Sequence, residues 1–143
     1  MTIEDISVQI VEEFSVFDEW LDKYEYLIEI GRQMPAIDPA AKTDENLIQG
    51  CQSRVWLDCS EHDGKLWFSA DSDAIITKGI ISLLIRVFDG QTPADIAAAD
   101  LSFIDKIGLK DNLSPTRANG LVAMINKIKA YALAFSPKED EQD

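Results

Sequence analysis

Ser53-Arg54-Val55-Trp56-Leu57-Asp58-Cys59-Ser60-Glu61, then His62-Asp63-Gly64, then Lys65-Leu66-Trp67-Phe68-Ser69-Ala70, is the stretch that decides the fold class. Successive side chains of a strand point to opposite faces, so a half-buried strand alternates with a period of two. Ser53, Val55, Leu57 and Cys59 share one face of the first run, and Arg54, Trp56, Asp58 and Ser60 share the other. Leu66, Phe68 and Ala70 repeat the pattern, with Trp67 opposed. Asp-Gly between two such runs is a strong hairpin turn, because both residues tolerate the positive φ that a two-residue loop requires. The reading is an antiparallel hairpin with Trp56 and Trp67 as cross-strand neighbours. Asn46–Gln49 supplies a weaker third strand candidate.

Outward from the hairpin the period changes to helical. Ile6, Ile10, Val11 and Phe14 predict a first helix over 3–17. Asp18 is placed to cap a second, to about Glu29 or Ile30, with Gly31 as its stop. Residues 34–43 hold Pro35 and Pro39 and read as loop. Asp71-Ser72-Asp73 is placed to cap a very apolar helix, about Ala74 to Phe88, that must be central. Gly79 in its interior costs roughly 1 kcal/mol against Ala, and close approach of another backbone is the expected compensation. Thr92-Pro93 and Ser114-Pro115 are cap-plus-proline helix starts. The first opens a short helix. A second short helix is expected over 101–109. Ser114-Pro115 opens a long last helix with Leu121, Ile125, Ile128, Ala132 and Phe135 in register.

Strands that do not alternate with helices define an α+β fold: a small antiparallel sheet of about three strands packed against helices. The 143 residues, 46% of them hydrophobic, suit a single domain over residues 1–135, with 136–143 a flexible acidic tail. The net charge of −13 argues against nucleic acid and against anionic membrane surfaces. A protein partner would present a basic or mixed face; maintaining solubility is the alternative role of the charge. Met1-Thr2-Ile3-Glu4-Asp5 carries no basic leader region, and the apolar stretch 74–88 is too short to span a bilayer. A cytoplasmic protein with two free thiols, Cys51 and Cys59, is expected.

The two cysteines differ in setting. Cys59 shares an apolar face and reads as a small packed hydrophobe. Cys51 follows Gly50 among Gln49, Gln52 and Ser53, at a turn, which suits a thiol that must reach a partner. An incidental half-buried cysteine is the competing reading, and local context leaves both open. An extended strand over 53–61 holds Cys51 roughly 25 Å from both Cys59 and His62, the single histidine. That distance disfavours a Cys–His hydrolase and a shared metal site. Glu12-Glu13 and the acidic tail read as ordinary solvated charge. Arg117, in the first turn of the last helix, is placed either to lower a thiol pKa or to form an ordinary salt bridge.

Gly50-Cys51-Gln52-Ser53-Arg54-Val55-Trp56-Leu57 resembles the active-cysteine segment of the SufE/CsdE sulfur-acceptor family. Asp71-Ser72-Asp73-Ala74 with Lys78-Gly79, then Thr92-Pro93-Ala94-Asp95-Ile96, then Leu113-Ser114-Pro115-Thr116-Arg117 with Gly120-Leu121, agree in order and spacing. Met34-Pro35 and residues 42–49 also fit, so the resemblance covers about Ile10 to Tyr131. It implies a SufE/IscU-like fold and a persulfide acceptor at Cys51, with Asp73 and Arg117 as supporting residues. It implies a SufS/CsdA-type cysteine desulfurase as donor, stimulated by the acceptor, and a downstream iron–sulfur scaffold as destination. Pyridoxal phosphate then belongs to the partner, and this chain needs neither cofactor nor metal and turns over no small molecule by itself. The alternatives are an iron–sulfur or metal scaffold, which would present convergent ligands, and a thiol redox module, which would want a resolving cysteine. A thiolate open to solvent is easily oxidised, so Cys51 is expected to be partly shielded in the free protein.

Overall fold

In the computed structural model residues 1–135 are described; the tail expected over 136–143 lies outside them. Thr2 opens α1 (Ile3–Ser15) with a capping box, its hydroxyl accepting from Asp5 N while the Asp5 carboxylate accepts from Thr2 N. α2 (Trp20–Arg32) begins after Glu19, not Asp18, and Glu19 provides no side-chain cap. Gly31 does not stop this helix. It is buried inside it, because the backbone of a later helix passes there.

After α2 the chain makes two short 3-10 turns, Pro39–Ala41 and Asp44–Asn46, and enters the hairpin β1 (Val55–His62) and β2 (Lys65–Ser72). Asp63 (φ 55°) and Gly64 (φ 79°) form the tight turn, with His62 opposite Lys65. That turn fixes the register and separates the tryptophans: Trp56 lies opposite Asp71, and Trp67 opposite Ser60. Among the described residues the sheet has two strands, not three. Leu47 makes an isolated bridge to Trp56 and Ile48 N donates to Val55 O at 2.8 Å, but the pairing goes no further. Asn46 N turns back to Thr43 O, while the Tyr131 hydroxyl sits on Leu57 O. On the other edge, Leu66 exchanges backbone bonds with Gly90 and Gln91, and Phe68 N donates to Asp89 Oδ1.

α3 (Ile75–Phe88) is the centre. Ile76, Ile80, Ile81, Leu83, Leu84, Val87 and Phe88 are all buried, and so is the inward face of the hairpin, Val55, Leu57, Leu66, Phe68 and Ala70. The expected Asp71-Ser72-Asp73 cap is absent. Ala74 is the N-cap, and its methyl offers no acceptor; Ser72 Oγ accepts from Ala74 N, ahead of the helix, and donates to Arg54 O, while Asp73 accepts from Arg54 N. Thr92 and Ser114 do cap, accepting from Asp95 N and Arg117 N, ahead of α4 (Pro93–Ala97) and the last helix. The single helix expected over 101–109 is two, α5 (Phe103–Lys106) and α6 (Leu109–Asn112), divided by Gly108 at φ 79°. α7 (Pro115–Ala134) buries Leu121, Met124, Ile128 and Ala132; Ile125 is only half-buried and Phe135 is exposed. Glu13 is not a solvated charge. It forms a bidentate pair with Arg86 of α3 and accepts from the Tyr26 hydroxyl of α2, and the Arg86 guanidinium holds its carboxyl below the usual range.

α2 and α3 meet backbone to backbone. A Cβ on Gly31 would lie 2.8 Å from Gly79 N, and one on Gly79 would overlap Leu27 O. This contact is the compensation that Gly79 required. Gly79→Ala is expected to lower stability by about 1–3 kcal/mol through overpacking, despite the better helix propensity. Urea unfolding of the two proteins measures the difference.

Candidate functional site

Backbone bonds at both ends fix a short loop, residues 49–53. On one side Ile48 N holds Val55 O. On the other, Asp73 Oδ1 accepts from Arg54 N at 3.1 Å, Asp73 N donates to Arg54 O, and the Ser72 hydroxyl donates to the same carbonyl at 2.8 Å. Asp73 thus acts on the loop's base and does not line the cleft around the thiol. Gly50 has φ 94°, which a side chain disfavours, and a Cβ there would sit 3.3 Å from the Ala123 methyl.

Cys51 is half-buried at the middle of this loop. Its Sγ donates to Gly120 O of α7 at 3.6 Å, a weak bond. A cleft of about 80 Å³ opens beside it, lined by Gln52, Thr77, Ile80, Arg117 and Met124 among others. Burial pushes the Cys51 thiol up from its ordinary value. Arg117 shares the cleft, and its guanidinium carbon stands 5.9 Å from the centre of the Tyr24 ring, a cation–π contact. Burial is the one cause of the thiol's shift, so the guanidinium, held on the Tyr24 ring, does not lower it in this arrangement.

The second cysteine is placed differently. Cys59 lies opposite Phe68 in the hairpin, and its thiol is pushed up to about 12 by burial, with the charges of Asp58 and Asp89 adding to the shift. His62 is exposed at the far end of β1. The structure therefore brings Cys51 and Arg117 into one cleft, attaches Asp73 to the loop that carries Cys51, and leaves Cys59 and His62 out. Thr77, Ile80, Gly120 and Met124 were not legible as site residues. Gly120 stood in one of the segments that carry the resemblance, and Thr77 is a polar residue in the apolar run of α3 that is buried in the structure. Among the described residues no group of three or more His, Cys, Asp or Glu side chains is arranged to hold a metal ion, and no helix is long and apolar enough to cross a membrane. A larger groove, of about 450 Å³, runs between α1 and α5, but it is lined by neither cysteine, so size does not choose the site.

Comparison with known proteins follows the same outline. Residues 8–132 match the family model described as SufE: Fe-S metabolism associated domain. The chain is similar to an uncharacterized SufE-like protein of Rhizobium meliloti (strain 1021), 40% identical over 129 residues, covering 87% of this chain and 92% of that one. It is also similar to an uncharacterized SufE-like protein of Rhizobium etli, 36% identical over 129 residues, covering 87% of each. Among solved structures, the solution structure of a hypothetical protein from Thermus thermophilus superposes with a TM-score of 0.75 at 20% identity, over 91% of this chain and 95% of that one. That likeness speaks to the fold.

The two thiols should separate in rate. Cys51 is expected to be alkylated by iodoacetamide at pH 8 well ahead of Cys59, whose thiolate is the scarcer. Peptide mass spectrometry over a time course checks this, and the gap should close in denaturant.

Proposed function

This chain belongs to the SufE family, associated with Fe–S metabolism, and from that premise we propose that it is a persulfide carrier with Cys51 as the acceptor. The observation that carries the reading is the placement of Cys51: a half-buried thiol on a loop fixed at both ends, beside a small cleft shared with Arg117. The donor is a cysteine desulfurase of the SufS/CsdA type, whose pyridoxal phosphate generates the sulfane sulfur and stays with that enzyme. The destination is an iron–sulfur scaffold, in the cytoplasm, where thiols remain reduced.

The transfer is thiol–disulfide exchange carried out on a persulfide. The Cys51 thiolate attacks the terminal sulfur of the donor's Cys–S–SH. The donor S–S bond breaks, a new S–S bond forms on Cys51, and the donor cysteine leaves as a thiolate that takes up the proton Cys51 gave up. Oxidation states balance without any added oxidant. The demand on this chain is a thiolate at the moment of attack. Burial opposes that in the free protein, so docking must lift the loop or bring the thiol nearer to positive charge. Arg117 is the cation lining the cleft and is assigned the supporting role there; Asp73 is assigned the role of holding the loop's base. A cluster scaffold needs several convergent ligands, whereas the other residues lining the cleft offer hydroxyl, amide, guanidinium and apolar groups.

The test is intact-mass spectrometry after incubation with a cognate desulfurase and L-cysteine without reductant. Wild type and Cys59→Ser are expected to gain about one sulfur atom and Cys51→Ser none. Absence of any gain with an active donor would overturn the acceptor reading. Alkylation of Cys51 is further expected to speed up when the desulfurase is present, and an equal rate with and without it would count against shielding in the free protein.

A further inference from the structure

The strap from Asn46 to Cys51 lies along one face of α7 in reverse order. Cys51 Sγ meets Gly120 O, Gly50 faces Ala123, and Leu47, Ile48 and Gln49 line a groove with Ala123, Asn126 and Lys127. Asn46 Oδ1 lies 3.3 Å from the Tyr131 hydroxyl. Positions 120, 123, 127 and 131 recur at the three- and four-residue spacing of a single helix face. Tyr131 is the member of this set whose side chain also reaches the sheet, with its hydroxyl 3.0 Å from Leu57 O. A phenol has one proton. The shorter distance assigns it mainly to Leu57 O, with Asn46 Oδ1 sharing it.

Leu57 O is the acceptor that a third strand would need. Leu47 opposite Trp56, with Ile48 N on Val55 O, sets an antiparallel register. In that register the next ladder bond would run from Asn46 N to Leu57 O. Asn46 N instead bonds Thr43 O at 3.2 Å and Thr43 Oγ1 at 3.4 Å, and its side-chain amide donates to Ala41 O. The strap leaves the sheet where Tyr131 arrives.

We propose that Tyr131 is a positioning residue for Cys51: by occupying Leu57 O and holding Asn46, it ends the strap's pairing with β1 and keeps the strap on α7, so that Cys51 is set against Gly120. The consequence for sulfur transfer rests on Cys51 being the acceptor; the placement itself does not. In Tyr131→Phe the ring keeps its contacts with Phe68 and Lys127. Leu57 O is then open to Asn46 N, the strap is drawn into the ladder, and Cys51 lifts from Gly120.

The test uses the full chain in a Cys59→Ser background and reads iodoacetamide alkylation of Cys51 across pH. Arg117, the charged side chain lining that cleft among the described residues, is kept in every variant. Tyr131→Phe is expected to speed alkylation roughly fivefold, the factor set by one net hydrogen bond, and to move the midpoint of the pH profile down as burial is relieved. Asn46→Ala frees the strap from Tyr131 but leaves the hydroxyl on Leu57 O, so it should move both readings in the same direction by less, and the double variant should add little beyond Tyr131→Phe. Leu133→Ala, an exposed change on the same helix, should leave both readings alone. A purely structural role for Tyr131 would lower the unfolding midpoint without moving the pH profile. An unchanged rate and profile in Tyr131→Phe overturns the proposal; if that variant does not fold, an unchanged profile in Asn46→Ala does so. Wild type that takes up no sulfur from the desulfurase overturns the acceptor reading and leaves the alkylation result standing.

Discussion

The backbone contact between Gly31 and Gly79 is the constraint on which the rest of the structure depends. It brings α2 against α3 closely enough that neither position has room for a side chain. α3 can then be buried on most of its girth, with the hairpin on it and Glu13 of α1 reaching Arg86. It also sets the site. Thr77 and Ile80 of α3 form part of the cleft, and Tyr24 of α2 stands under Arg117. A helix so apolar could pack in many ways; two glycines in register select one of them.

The site resolves a conflict between protection and reactivity. A thiolate is the reactive form and also the one most easily oxidised. Here burial favours the neutral thiol at both cysteines, strongly at Cys59 and more gently at Cys51. The difference is geometric. Cys59 sits in a regular hairpin with carboxylates nearby, whereas Cys51 is on a loop whose thiol is held by a single weak bond to a backbone carbonyl. A small movement releases the second and not the first.

Much of this was legible from local pattern. The alternation around Val55 and Leu57, the Asp63-Gly64 turn and the proline-marked helix starts at Pro93 and Pro115 all stand where the sequence places them. Cys51 could be read as a loop thiol from its polar neighbours. What local pattern misjudged was decided by distant chain. Gly31 has the look of a helix stop but answers to Gly79. Asp73 and Ser72 have the look of a helix cap but are used on Arg54. The third strand fails because a hydroxyl from α7 takes its acceptor. The helix faces that complete the cleft, through Gly120 and Met124, exist only once the helices have packed.

A sheet of two strands has two open edges, and open edges invite other chains to add to them. Both are covered here over part of their length. The strap and the Tyr131 hydroxyl occupy β1, while Asp89, Gly90 and Gln91 occupy β2 with backbone and carboxylate bonds to Leu66 and Phe68. The covering on the β1 side is continuous with the loop that bears Cys51. Lifting that loop by its tip leaves the edge closed, whereas peeling the whole strap would bare Val55 O to any neighbouring strand. The tie at Tyr131 therefore also bounds how far the loop can travel before the molecule becomes prone to joining copies of itself.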